Sequence, residues 1–183
     1  MAENSNADGM FGSKDFKFDS LELINSGGQT LDLRKIFVEL QIFQDLYSSV
    51  MYGEILINDG NDVFSNFYLV GNEYIKVSID KPGLGRPLER IFRVFKASKR
   101  APSTDSGQTY LLHFCSDEMI SSQQILVSKS YKSAKIKDVV SDILLKELGT
   151  EPSRIASLEQ TSGNFDFIIP NYRPFEAIQW AAA

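Results

Sequence analysis

Six short runs of alternating apolar and polar residues occupy the first 118 positions, and four of the five connections between them are shorter than the dozen or more residues of a parallel crossover. The runs cover residues 16–24, 33–45, 50–57, 73–80, 89–98 and 108–115, separated by turn formers such as Asn25-Ser26-Gly27-Gly28. This spacing predicts an antiparallel β-barrel or sandwich over residues 16–118. Glu73-Tyr74-Ile75-Lys76-Val77-Ser78-Ile79-Asp80 alternates most cleanly. In the second run Ile36, Val38, Leu40 and Ile42 share one strand face, and Phe37 and Phe43 lie on the other with Lys35, Glu39, Gln41 and Asp45. Two large aromatics on the less apolar face call for a covering surface, which makes Phe37 and Phe43 candidate inter-subunit contacts. Residues 63–69 are too short to assign.

The last third has a different texture. Ser133 is placed to cap a helix over Ala134–Leu148, because Ile136, Val139, Val140, Ile143, Leu144 and Leu148 recur at helical spacing before Gly149. Phe165-Asp166-Phe167-Ile168-Ile169 reads as a strand ended by Pro170, and Pro174 opens a second helix over Phe175–Ala183. That helix has no closing signal, so residues 119–183 are expected to be an α+β segment that begins a second domain of a longer product. Residues 1–15 are small and polar, with only Met10 and Phe11 as anchors, and read as a flexible N-terminal arm, either ordered on contact or a disordered tail. The expected fold class is therefore mainly β with an α+β extension.

Composition narrows the function. The chain has 183 residues, 43% of them hydrophobic, with 13 Phe and 7 Tyr, which is more apolar surface than a solvated coil carries. One Cys excludes an internal disulfide, and one Cys with one His excludes zinc sites built from those two types. No apolar run approaches the roughly 20 residues of a spanning helix. The N-terminus lacks the basic patch and apolar core of a signal peptide, which argues against Sec-type export. A net charge of −5 argues against a general phosphate-binding surface. A soluble, intracellularly made protein is the expectation.

Signals for chemistry are weak. His113 and Cys115 share a strand face about 6–7 Å apart, too far for a thiol–imidazole hydrogen bond. Gly83-Leu84-Gly85 lacks the third glycine and following helix of a dinucleotide loop. Asn58-Asp59-Gly60-Asn61-Asp62 is rich in oxygen ligands but lacks the EF-hand order and its closing Glu, so it reads as a hairpin turn. Lys96, Lys99 and Arg100 read as a solvated edge. No catalytic constellation, cofactor site or metal site emerges, and the expectation is a protein that is not an enzyme.

Specific segments go further. Ile36-Phe37-Val38-Glu39-Leu40-Gln41-Ile42 followed by Asp45-Leu46-Tyr47 resembles the opening strand and turn of the baseplate central hub proteins of contractile-tailed bacteriophages. Gly71-Asn72-Glu73-Tyr74-Ile75-Lys76-Val77-Ser78-Ile79 resembles that family's Gly-Asn-Glu entry into a strand. The later order is similar too: two strands ending near Asp117-Glu118, a helix from near Ser133, then Ile169-Pro170-Asn171-Tyr172-Arg173-Pro174-Phe175-Glu176 before a second helix. The resemblance covers roughly residues 33–180 as a pattern of short motifs. Hubs of this kind carry two tube-type barrels and are longer, whereas one barrel is clear here.

The resemblance implies a structural role in a virion tail, for a protein made in the host cytoplasm. A homotrimeric hub ring would join the tail tube above to the spike below, among surrounding baseplate proteins, without inserting into a membrane. DNA would pass through its channel without specific binding. If the barrel lines that channel, Glu39, Gln41, Glu54, Asn58 and Ser78 are lumen candidates, because they alternate with barrel-filling positions; the other reading leaves them facing solvent outside. Two rival classes remain open. One is a tail tube or tube-terminator protein, and the other is a carbohydrate-binding module of a tail fibre.

Overall fold

Alternation becomes a seven-stranded antiparallel sheet. The computed structural model describes residues 17–60, 64, 67, 69–80, 87–102 and 107–183, so the expected arm, Phe16, most of residues 61–69 and the Gly83-Leu84-Gly85 loop lie outside the described residues. The strands are β1 (Lys17–Ile24), β2 (Thr30–Asp32), β3 (Phe37–Phe43), β4 (Tyr52–Asp59), β5 (Tyr74–Asp80), β6 (Leu88–Pro102) and β7 (Gln108–Cys115). Their order across the sheet is β2-β1-β5-β6-β7-β4-β3, every neighbouring pair is antiparallel, and the sheet curls into a half-barrel. β6 is the long strand. Its first half pairs with β5 and its second half with β7, so it spans the curl. Leu21, Leu23, Ile55, Ile57, Ile75, Val77, Phe92, Leu112 and Phe114 meet on one face as the core. Gly53 is required where β4 passes beneath Phe114. A Cβ there would collide with the Gln41 carbonyl and come within 2.6 Å of the Phe114 ring.

Two expectations in this region are corrected. A seventh strand, β2, is too short to show alternation. More consequentially, β3 carries a bulge: Phe37 pairs with Ile57 and Glu39 with Leu56, which leaves Val38 as the extra residue. A one-residue slip moves side chains to the opposite face. Phe37 therefore joins Leu40 and Ile42 against the core, edge-on to Phe18 at 5.6 Å, and Val38 is turned out at 48% exposure.

The chain divides into two compact units, one of residues 1–44 and 51–116, the other of residues 45–50 and 117–183. The boundary falls two residues before the expected one, and the β3–β4 connection goes with the second unit. That unit contains α1 (Asp117–Gln124), β8 (Val127–Ala134), α2 (Ile136–Asp142) continued by a π-helical turn (Ile143–Glu147), β9 (Phe165–Tyr172) and α3 (Pro174–Ala182). β8 and β9 form an antiparallel pair, and Val127, Val139, Ile143, Ile169, Ala177 and Ala181 make a small core.

Three local expectations change here. Ser133 does not cap the helix; it lies in β8 with φ 51°, its N–H donating to Asp166 Oδ1 at 2.8 Å, and the N-cap is Lys135 without a side-chain bond. Pro170 does not end β9, because each strand of a two-stranded sheet has a free edge where a missing N–H breaks no ladder bond. α1 and β8 were not expected at all. Gly149 does close the helical stretch, at φ 65°, and Pro174 does open α3.

Candidate assembly and channel surfaces

The first unit's sheet has a second face, turned away from the core. Cross-strand register places Gln41, Glu54, His113 and Lys96 in one row across β3, β4, β7 and β6. Gln41 Nε2 donates to Glu39 Oε1, which brings those two expected residues together. His113 Nε2 lies 2.7 Å from Ser98 Oγ, and its Nδ1 lies 3.5 Å from Glu54 Oε2. A hydroxyl, an imidazole and a carboxylate thus line up, each from a different strand. The carboxylate contact is longer than a hydrogen bond and the row lies on a sheet surface, so we read it as a polar ladder holding three strands in register. Asn58 is exposed opposite Thr109 on the same face.

Ser78 is the exception among the lumen candidates. Only 4% exposed and placed on β5, it lies apart from Glu39, Gln41, Glu54 and Asn58 and cannot line an aqueous surface in this chain. The aromatics separate in the same way. Phe43 stays on the outer face and stacks on Tyr52 with ring centroids 5.1 Å apart, both more than two-fifths exposed. Phe95 is 51% exposed, with its ring 6.2 Å from that of His113. Tyr52, Phe95 and Ser98 were not singled out from the sequence. Their common face appears only once register joins β3, β4, β6 and β7.

The Gly-Asn-Glu segment proves to be a turn device. Gly71 has φ 90°, a region side-chain-bearing residues rarely adopt. Glu73 is 1% exposed, its carboxylate accepts the N–H groups of Val70 and Gly71, and its own carbonyl accepts from Val94. Asn72 Oδ1 accepts from Arg93, whose guanidinium lies 5.8 Å from the Tyr74 ring centre. Every member of the motif therefore fixes the entry to β5.

In the second unit, charge gathers where β8 meets α2. Asp142 accepts from Tyr131 Oη at 2.7 Å and from Lys129 Nζ at 3.2 Å, and pairs with Lys146; Lys129 also pairs with Glu147. Lys146, then Tyr131 and Lys129, hold the Asp142 carboxyl down at about 2 against the opposing effect of burial. Burial, followed by the bond to Asp142, pushes the Tyr131 hydroxyl well above the ordinary tyrosine range. Among the described residues no group of three or more His, Cys, Asp or Glu could hold a metal ion, and no helix is long and apolar enough to cross a membrane.

No protein-family model matches the chain, and no curated protein matches it. Solved structures do. The tail protein from Neisseria meningitidis MC58 superposes with a TM-score of 0.54 at 11% identity, over 90% of this chain and 44% of that one. The chain has the fold of a tail protein. Weaker likenesses are to the E. coli c3393 protein, a type VI secretion component described as structurally similar to the T4 tail proteins gp27 and gp5 (TM-score 0.47, 8% identity, 90% and 41% covered). Another is to a chain of the Francisella PdpA–VgrG complex (0.40, 13%, 70% and 21%). The chain spans less than half the length of each of these neighbours.

Proposed function

We propose that this chain is a structural component of a phage-type tail baseplate and forms part of a central hub ring. The observation that carries the reading is the fold shared with a tail protein, in a chain whose motifs resemble hub proteins at their strand entries. In this reading three copies associate, the tail tube docks above and the spike below, and the chain resides in the virion tail. It acts by geometry, without catalysis or a cofactor. Phe43, stacked on Tyr52, is the aromatic available to a neighbouring copy; Phe37 is already packed within its own unit. Glu39, Gln41, Glu54 and Asn58 face away from the core and supply the lumen surface. An acidic or neutral lumen displaces few counterions from passing DNA and so does not retain it.

Oligomer mass in solution is the first test. Three copies support the hub, and six copies favour a tail tube or tube terminator. The second test is the double substitution Glu39→Lys with Glu54→Lys. It should leave assembly intact and slow genome ejection, more at low salt than at moderate salt. Unchanged ejection would remove the channel role from both residues. Exposed Phe43, Tyr52 and Phe95 on one sheet face also fit the carbohydrate-binding alternative, which would show as saturable binding on a glycan array.

A further inference from the structure

The β3–β4 connection displays the two most exposed large apolar side chains among the described residues, Leu46 at 92% and Tyr47 at 87%. Both lie outside the two cores, and adjacent exposure of this kind marks a contact surface. The turn that carries them is held firmly. Asp45 Oδ1 accepts the Tyr47 N–H at 2.8 Å, Ser48 Oγ donates to the Val50 carbonyl at 3.0 Å, and Gln179 Nε2 donates to Ser49 Oγ at 3.0 Å. A turn already fixed loses little entropy when a partner covers it. Asp45 sets its charge: the side chain is exposed and has no ion-pair partner among the described residues. The groove between this connection, α1 and α3 is lined by both Arg173 and Glu176, which offset one another. Asp45-Leu46-Tyr47 is therefore an acidic, apolar knob.

A bulge in β6 makes a surface that matches it. Val94 pairs with Phe114 and Lys96 with His113, which leaves Phe95 as the extra residue. In an unbroken strand Phe95 and Lys96 would point to opposite faces; the bulge turns both outward, side by side. Phe95 is half exposed and lies beside the His113 ring, and Ile91, also half exposed, extends the apolar strip along the strand. Lys96 is exposed and has no ion-pair partner among the described residues. The carboxylate in its row, Glu54, lies two strands away and faces His113. Arg93, on the other side of Phe95, is a second cation, whereas Glu22 and Glu89 lie level with Ile91 or beyond it, with Lys76 among them. Around Phe95 the ledge is thus apolar and basic.

We propose that the Asp45-Leu46-Tyr47 knob of one copy docks on the Phe95 ledge of a second copy, with Asp45 paired to Lys96. The inference rests on the self-association proposed above and deepens it. A ring of three requires two different surfaces on each copy, because a single self-matching patch closes after two. The knob and the ledge are two such surfaces, both apolar and opposite in charge. The ledge is on β6, apart from the lumen candidates on β3 and β4.

The test is Tyr47→benzoyl-phenylalanine in the full chain, with light and heavy isotopic copies mixed, irradiated and mapped by mass spectrometry. The expected result is cross-links from position 47 to residues 91–96, joining light to heavy chains. The charge pairing is read from Asp45→Asn, which keeps an acceptor for the Tyr47 N–H, and Lys96→Gln, with circular dichroism to show that each variant is folded. Each should weaken self-association about fivefold, and the two together no more than either alone. Effects that multiply in the double variant overturn the Asp45–Lys96 pairing. An oligomer of three copies whose cross-links fall elsewhere, or only within one chain, overturns the docking and leaves the hub reading standing. A monomer at every concentration overturns the docking together with the self-association beneath it.

Discussion

Replacing Asp142 by Asn should make the second unit lose stability in a pH-dependent way that its own fluorophore can read. The Asp142 carboxyl sits at about 2 when folded against an ordinary 3.8, so its ionised form is bound more tightly in the folded state. A depressed carboxylate contributes stability that is fully present above the unfolded value and is lost as pH falls through the folded one. The window is therefore about pH 4 down to pH 2. At about 1.36 kcal/mol per pH unit, that depression has a ceiling of about 2.4 kcal/mol. Lys146, its strongest partner, is 72% exposed, and solvent screening lowers the expectation to about 1–2 kcal/mol. Trp180 is the chain's single tryptophan and lies in the second unit, 5.9 Å from Phe167 and 6.1 Å from Tyr172 by ring centres. Its emission during urea unfolding therefore reports that unit. Wild type should exceed Asp142→Asn by this amount at pH 7, and the gap should close between pH 4 and pH 2. A gap that is constant across this range would refute the assignment of the depression to Asp142.

Other consequences concern the first unit. Gly53→Ala should cost about 1–3 kcal/mol, because the new methyl meets the Phe114 ring and the Gln41 carbonyl; an unchanged melting temperature would contradict this. Glu73→Ala leaves two backbone donors without their acceptor and should cost about 2–4 kcal/mol in denaturant titration, with Glu73→Gln retaining part of it. Phe37→Ala should cost about 3–5 kcal/mol of fold stability, whereas Phe43→Ala should cost under about 1 kcal/mol and lower the oligomer mass instead. Equal stability losses for the two would show that Phe43 is a core residue.

Alternation carried the strands well because period two survives wherever one face is buried. It could not carry the bulge at Val38. That slip is decided by pairing with Ile57 and Leu56 on another strand, and it moved Phe37 from the expected interface face into the core. β8 was hidden by its composition: Val127-Ser128-Lys129-Ser130-Tyr131-Lys132-Ser133-Ala134 has too few apolar residues to alternate, and its pairing with β9 holds it. Ser78 was placed on the polar face by its pattern, but its burial depends on what surrounds it and cannot be read from spacing. The Ser98–His113–Glu54 row was invisible for a related reason. Its members are far apart in sequence and meet only because β7 lies between β6 and β4. The Gly-Asn-Glu signal, by contrast, was local, and its three side chains or backbones all act within that turn and the adjoining β6.

The assignment of residues 45–50 to the second unit has a consequence for inheritance and for gene surgery. A unit encoded in two separated stretches cannot be moved by one recombination joint. A fragment starting at Asp117 would lack Ser49, the hydroxyl that Gln179 binds, and would expose a wall of its own groove. Insertions that lengthen the β3–β4 connection would be felt in α3 as well as in the hairpin they extend. The two units should therefore drift, duplicate and be exchanged between genomes as one module.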